Sequence, residues 1–339
     1  MTTVASLFNG KHAVFAVVLV FAPMLPALLL PPLGWSDAVG SFIIATMAGV
    51  MAAMIAGPRL GLLVAAGLAV AEMLALPAAP IPVWAGLVMG VSALVYGLTS
   101  HRGLTSVLGL APVAVAFTIA DPPALKQDSV LADALVLGLF VLLGALWGTA
   151  FGTFIGRKAP RLPLQTSSWR TAITFGLVMG IVTGVTMGVV VATGIGHTGA
   201  WIVLTIIMVV QPRMHETLRK SLNRAFGTAL GFCIALAVGL VLTDETLLLV
   251  LGMFFLTLAV YVKMDPRSKY WHFTMFLTPG IVLAEGAGAD VVATDVNRLW
   301  ASLTGVAIAL ALLAVFHALG ARDRDAEEKD ASMGAPAAT

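Results

Sequence analysis

Residues 130–156 read VLADALVLGLFVLLGALWGTAFGTFIG, a run of 27 residues in which Asp133 is the one charged side chain. A helix that spans the hydrocarbon core of a bilayer needs about 20 mostly apolar residues. Glycine recurs at every fourth position, at Gly144, Gly148 and Gly152. In a helix this spacing gives one face of small residues, which a second helix backbone can approach closely. The segment therefore predicts a membrane-spanning helix with a packing face.

The rest of the chain has the same apolar character. Of its 339 residues 59% are hydrophobic and 11% are charged, whereas soluble domains carry about 25% charged residues. This composition excludes a soluble globular protein, which would need more polar surface. The formal net charge of +2 is too small to indicate a nucleic-acid partner. We therefore expect the lipid bilayer to surround most of the chain.

Twelve segments are candidate membrane spans. They are 13–31, 37–57, 60–78, 81–99, 104–120, 130–156, 171–194, 198–212, 224–242, 246–263, 270–286 and 296–318. Helices are the expected conformation, because backbone groups in hydrocarbon must pair within the segment. Segment 198–212 is short, and spans 5 and 11 each carry a proline near their middle, Pro112 and Pro279.

The basic residues test this count of spans. If both termini and the loops after the even-numbered spans share one side of the membrane, that side holds 17 of the 19 lysines and arginines. The positive-inside rule assigns the basic side to the cytoplasm. We therefore predict an all-α integral protein of the inner (plasma) membrane, with both termini in the cytoplasm.

The two halves of the chain resemble each other. Span 2 ends before Pro58-Arg59, and span 8 ends at Pro212-Arg213. Because six spans return the chain to the side on which it started, the pattern predicts two parallel repeats about an axis along the membrane normal. The predicted organisation is a first six-span repeat at 1–156, a cytoplasmic linker at 157–170, a second six-span repeat at 171–320 and a disordered cytoplasmic tail at 321–339.

Two further glycine series follow the same rule. Span 7 carries Gly176, Gly180 and Gly184, and span 9 carries Gly227 and Gly231. Small residues at this spacing are typical of closely packed helices in membranes. We interpret all these glycines as helix-packing positions rather than as ligand sites.

Residues 211–231, QPRMHETLRKSLNRAFGTALG, concentrate basic side chains beside a span. Arg213, Lys220 and Arg224 fall on one helical face. One interpretation is a funnel that concentrates organic anions at the inner mouth of a path. The other is ordinary positive charge that contacts lipid headgroups. Arg59, at the corresponding end of span 2, is a further candidate for the path.

A pattern within residues 198–240 resembles the signature of a known family. Its members are Trp201, Gln211, Pro212, Thr217, Arg219, Arg224, Gly227, Thr228 and Gly231. With the six-span repeat and the short length, it resembles the fusaric acid resistance (FUSC) and aromatic acid exporter superfamily. The resemblance implies an inner-membrane exporter of aromatic or other organic acids that works with a periplasmic adaptor protein. The chain differs from larger members, which insert a sizeable cytoplasmic domain.

Motifs of enzymes and of nucleotide-driven pumps do not occur in the sequence. There is no GxxxxGK[ST] loop, no HExxH pair, no GxSxG turn and no Cys/His cluster with metal-ligand spacing. We therefore expect neither catalysis nor a cofactor or metal.

Glu72 is the one ionisable residue well inside a predicted span. A charge at membrane depth costs several kcal/mol, so such a residue usually faces a cavity or a partner. One interpretation is a carboxyl group that carries protons and couples export to proton uptake. The other is a structural carboxyl that is protonated or hydrogen-bonded to a neighbouring helix.

Three residues near the outer ends of the spans are further candidates. Asp133 and Arg298 occupy near-equivalent positions in the two repeats and are candidates for an outer gate pair, or for interfacial anchors. Trp201 lies where span 8 begins, as an aromatic anchor at the membrane interface or as a surface that stacks on an aromatic substrate.

The leading hypothesis is an exporter of organic acids, aromatic ones in particular, driven by protons. Arg213, Lys220 and Arg224 would capture the anion, Trp201 would line its path and Glu72 would relay protons. The alternatives are a passive organic-anion channel and a membrane scaffold that anchors a periplasmic partner without transport.

Overall fold

A computed structural model describes residues 10–125, 127–156, 164, 166–212, 214–264, 268–286 and 296–314. Within these ranges the regular structure is helical and no strand occurs. The helices are α1 Gly10–Met24, α2 Val39–Ala56, α3 Pro58–Ala78, α4 Pro82–Leu98, α5 Thr105–Leu108, α6 Leu110–Ala120, α7 Val130–Gly156, α8 Trp169–Thr193, α9 His197–Val209, α10 Met214–Val241, α11 Glu245–Met264, α12 Tyr270–Gly286 and α13 Val296–Ala314.

Each predicted span contains a helix, and nine helices in the described residues are long and apolar enough to cross a membrane. They are α1 with its continuation to Leu33, α2, α3, α4, α7, α8, α10, α11 and α13. The prediction of an all-helical, multi-pass membrane protein is confirmed at this level. Arg213, residues 157–163 and 165 of the predicted linker, and the predicted tail at 321–339 lie outside the described residues.

Three predicted spans hold shorter helices, α6, α9 and α12. Span 5 is divided at Gly109 into α5 and α6, so Pro112 lies in the first turn of α6 and not in mid-helix. A proline is tolerated there because the first turn needs no backbone donor. Helix α9 ends at Val209, and Val210 is extended, two residues before Pro212. Pro279 lies inside its helix, α12, as predicted.

Helix α7 packs against both α2 and α3. A Cβ added at Gly144 would lie 2.7 Å from the carbonyl oxygen of Phe42, and one added at Gly152 would lie 2.5 Å from that of Val50. At Gly148 the added atom would overlap the backbone of Thr46. The three glycines therefore let the α2 and α7 backbones touch.

Helices α4 and α8 make a second contact of this kind, which joins the two halves of the chain. A Cβ at Gly180 would lie 2.8 Å from the carbonyl oxygen of Gly90, and one at Gly184 would lie 2.7 Å from that of Gly86. The relation is reciprocal, since a Cβ at Gly86 would lie 2.8 Å from the Gly184 oxygen. Gly176 faces α4 as well, 3.0 Å from the Leu94 oxygen by the same measure.

The second half contains two further close contacts between helices. On α10, Gly227 faces Trp271 and Thr274 of α12, and a Cβ at Gly231 would lie 2.7 Å from the Met275 carbonyl oxygen. On α13, a Cβ at Gly305 would lie 2.9 Å from the carbonyl oxygen of Ile202 on α9. These contacts hold α9, α10, α12 and α13 in the positions on which the candidate site depends.

The outward-facing side chains of the helices are apolar. Leu63, Val83 and Leu131 are each about 70% exposed. A surface of this kind is unfavourable in water over so large an area and suits contact with lipid tails. The exposed surface therefore agrees with the membrane location that composition predicts.

Replacing Gly184 by alanine is expected to lower the free energy of unfolding by about 1–3 kcal/mol, because the methyl group fits only if α4 and α8 separate. The matched control is Gly67→Ala on the exposed face of α3, where an added Cβ meets no atom within 4 Å. Thermal unfolding of the purified protein in detergent measures both variants. Equal melting temperatures would contradict the close contact of α4 and α8.

Candidate functional site

Buried charged side chains mark the candidate sites in this apolar bundle. Among the described acidic and basic residues, three are at most 4% exposed: Glu72, Arg224 and Arg298. A charged group away from water is stable only with a partner or in a polar cavity. The surroundings of each of the three therefore bear on function.

Arg224 lies on α10, ten residues after its first residue, which is about 15 Å along the helix axis. Its Nη1 donates to the hydroxyl oxygen of Tyr270 at 3.4 Å. Its Nε has no hydrogen-bond partner among the described residues. The guanidinium is therefore held in place by α12 and retains a donor for another group.

Two lysines surround the same tyrosine. The Lys263 Nζ atom lies 5.4 Å from the ring centroid of Tyr270 and 4.6 Å from that of Phe273. Lys220, one turn before Arg224 on α10, is close enough to act electrostatically on the Tyr270 hydroxyl. We call Lys220, Arg224, Lys263, Tyr270 and Phe273 the inner cluster.

Two hydroxyl side chains continue the buried polar face of α10. Ser221 is fully buried, and its hydroxyl has no hydrogen-bond partner among the described residues. It lies three residues before Arg224, so the two side chains share one face of the helix. The hydroxyl of Thr217 accepts a hydrogen bond from the backbone N–H of Gln211 at 3.0 Å. Thr217 thus fixes the turn between α9 and α10, and Ser221 retains an unused donor.

Arg298, on α13, lies against the aromatic ring of Trp201 on α9. Its guanidinium carbon is 3.8 Å from a ring centroid of Trp201, a cation–π contact. On α6, the ring of Phe117 meets Trp201 edge to face at 4.9 Å. Trp201 is only 7% exposed. Its ring is therefore mostly covered by protein, and both interpretations of Trp201, as an interfacial anchor and as a surface that stacks on a substrate, stay predictions.

His197 and Asp121 extend this arrangement to the protein surface. The Nδ1 atom of His197 lies 3.1 Å from Oδ2 of Asp121, between exposed side chains, and its ring meets Phe117 at 5.2 Å. An exposed polar contact of this kind contributes little stability, but this one joins the end of α6 to the start of α9. We call Asp121, Phe117, His197, Trp201 and Arg298 the outer cluster.

Asp133, the predicted partner of Arg298, accepts a hydrogen bond from the backbone N–H of Gln127 at 3.0 Å. This contact fixes the chain at the start of α7. In the described contacts Asp133 is hydrogen-bonded to Gln127 and Arg298 packs against Trp201. A gate formed by Asp133 and Arg298 stays a prediction. Arg59, the other candidate for the path, is exposed at the start of α3.

Glu72 lies on α3, fourteen residues after Pro58 and about 21 Å along the axis. It is 0% exposed, and neither carboxyl oxygen has a hydrogen-bond partner among the described residues. The Thr118 hydroxyl on α6 is near the carboxyl, without the geometry of a standard hydrogen bond. The carboxyl group is thus deep, enclosed and able to accept a proton or a hydrogen bond.

Sequence reasoning identified Lys220, Arg224, Trp201 and Arg298 one by one, and the structure distributes them between two clusters. It missed Tyr270 and Lys263, because α12 meets both α10 and α11 only in the folded protein. One signal was present in the sequence. Tyr270 and Lys263 lie near the same basic loop, between α11 and α12.

The described residues define an all-helical, multi-pass membrane protein whose second half contains two buried arginines, each beside an aromatic ring. Residues 183–312, from α8 to α13, match the family model described as fusaric acid resistance protein-like. This match confirms the resemblance drawn from Trp201 and the residues around Arg224. A search of curated proteins and a search of solved structures returned no match.

Replacing Arg298 by alanine is expected to lower the free energy of unfolding by about 2 kcal/mol, because a buried cation–π contact is lost. Arg102→Ala, at an exposed position after α4, is the control and should leave stability within about 0.5 kcal/mol. Thermal unfolding in detergent compares the two. If Arg298→Ala and the control have the same melting temperature, the contact between Arg298 and Trp201 contributes no stability.

Proposed function

We propose that this protein exports organic acids, aromatic ones in particular, across the inner membrane, and that the inner cluster binds the anion. The family match supports a membrane transporter or resistance protein. Arg224 carries the more specific proposal. It is a buried cation whose Nε has no described partner.

Chemistry favours a carboxylate at this position. A buried charge without a counter-ion is unfavourable, and no described carboxylate pairs with Arg224. A guanidinium binds carboxylates through charge-assisted, often paired hydrogen bonds. The unused hydroxyl of Ser221 supplies a further donor, and the rings of Tyr270 and Phe273 supply an apolar surface. The site therefore suits an anion with an aromatic body.

The outer cluster offers a second position at which a carboxylate could bind. Arg298 and Trp201 again combine a buried cation with an aromatic ring. A carboxylate that leaves Arg224 would meet this second cation near the opposite ends of the helices. In this proposal Lys220, Arg213 and Arg59 attract the anion at the cytoplasmic side, and Asp133 with Arg298 forms the outer gate.

Glu72 supplies the proposed coupling to protons. Its enclosed carboxyl lies in the first half of the chain, outside the matched residues. Uptake of a proton from outside and its release to the cytoplasm would drive the anion outward. A periplasmic adaptor protein, implied by the family resemblance, would carry the released acid onward.

Arg224→Gln is expected to reduce transport at least about tenfold, because removing a buried cation from a charged contact costs about 2–5 kcal/mol. The matched control is Arg219→Gln, an exposed arginine on the same helix, which should keep near-normal transport. The measurement is uptake of radiolabelled benzoate, with acetate for comparison, into liposomes that contain the purified protein. Equal transport by the two variants would exclude the inner cluster as the binding site.

The same assay separates the alternative functions. A passive channel would carry benzoate down its own gradient at a rate that a pH difference leaves unchanged. A scaffold would show no flux, and neither arginine variant would change the result. Only the exporter predicts a rate that rises with a proton gradient directed from the periplasmic to the cytoplasmic side.

Glu72→Gln is expected to abolish this dependence on the proton gradient, because the amide cannot carry a proton at this position. Asp37→Asn, at an exposed carboxyl before α2, is the control and should retain full coupling. Benzoate flux with and without a pH difference, at equal protein content, measures the effect. Gradient-stimulated flux in Glu72→Gln would remove Glu72 from the coupling mechanism.

A further inference from the structure

A cleft of about 510 Å³ lies where the C-terminal ends of α3, α6 and α8 meet the N-terminal end of α7. Arg59, at the start of α3, is at the opposite end of that helix. Charge patterning assigns the helix ends that form the cleft to the periplasm. The cleft walls are mostly apolar and include Leu76, Ile119 and Val190. Asp133 is the ionisable residue in its lining.

Glu72 lies directly beneath this cleft. It precedes Leu76 by four residues on α3, so the two share one helical face about 6 Å apart along the axis. On the opposite wall, Ile119 of the lining follows Thr118, whose hydroxyl is near the Glu72 carboxyl. Leu76 and Ile119 are therefore the lining residues that adjoin Glu72 and Thr118 along their helices.

The rim of the cleft carries groups that exchange protons with water. Asp133 is part of the lining, and Asp121 and His197 adjoin the lining residues Pro122 and Gly196. The helices against α3 add few others. Among their described residues, α2 and α6 contain none, α4 contains Tyr96 and α7 contains only Asp133.

We propose that this cleft is the route by which protons from the outer side reach Glu72. The inference rests on the proposed coupling role of Glu72 and adds the side of the membrane from which Glu72 receives its proton. A proton passes from water at the rim, where Asp133 attracts it, to the Glu72 carboxylate, which becomes a neutral acid. Leu76 and Ile119 form the barrier that a water molecule crosses to connect the two.

The first test measures access to the floor of the cleft. In a Cys233→Ala background, which removes the chain's single cysteine, Leu76→Cys is treated from outside with a membrane-impermeant trimethylammonium methanethiosulfonate. Leu74→Cys is the matched control, two residues away on the exposed face of α3. Leu76→Cys should react at least about tenfold faster, because only a hydrated thiol forms the reactive thiolate. Equal rates would overturn the proposal.

The second test measures access to Glu72 itself. A water-soluble carbodiimide added outside should label Glu72, as detected by mass spectrometry. Prior modification of Leu76→Cys should reduce that labelling to the background seen in Glu72→Gln. Labelling that persists after modification would show that Glu72 is reached by another route and would overturn the proposal.

The two tests do not require transport. If Glu72→Gln exports normally but Glu72 is labelled through the cleft, the coupling role fails and the route stands. If Glu72→Gln loses coupling but Leu76→Cys is inert, the coupling role stands and the route fails. Ala79→Cys, a second lining position, replaces Leu76→Cys if that variant does not fold.

Discussion

The contact between α4 and α8 is the constraint on which the arrangement of this protein depends. Apolar helices gain little from burying apolar surface in lipid, so they associate through close packing and polar contacts. Gly86 and Gly90 on one helix face Gly180 and Gly184 on the other, and each backbone fills the space that side chains would occupy. This contact fixes the first half of the chain against the second. The cleft and the outer cluster are both formed by residues from the two halves of the chain.

Burial of charged groups is the second organising factor, and the two halves of the chain surround their buried charged groups with different side chains. Arg224 and Arg298, in the second half, each lie beside an aromatic residue that stabilises a cation. Glu72, in the first half, lies near the hydroxyl of Thr118. A buried cation suits the binding of an anion, and an enclosed carboxyl suits a proton. The proposed division of labour between the halves follows from this difference.

The match to the FUSC family covers the half that contains both arginines. Tyr270, Lys263 and Trp201 fall within the same residues. Glu72 and the glycines of α4 lie outside them. The residues proposed to bind the anion therefore lie within the family match, whereas the proposed proton route rests on the geometry of α3, α6, α7 and α8.

The sequence by itself predicted the membrane class and the apolar helical spans, and it identified Glu72 as an ionisable residue within one of them, because hydropathy and length report directly on the surrounding solvent. It also identified Arg224 and the glycine faces, since helical spacing determines which residues share a face. It did not predict the short α6 helix, because a proline has different effects in the first turn and in mid-helix. Only the tertiary structure decided which helices meet. It pairs Arg224 with Tyr270, Arg298 with Trp201, and the glycines of α8 with α4. The partners in each pair are far apart in sequence, and local sequence patterns do not encode such contacts.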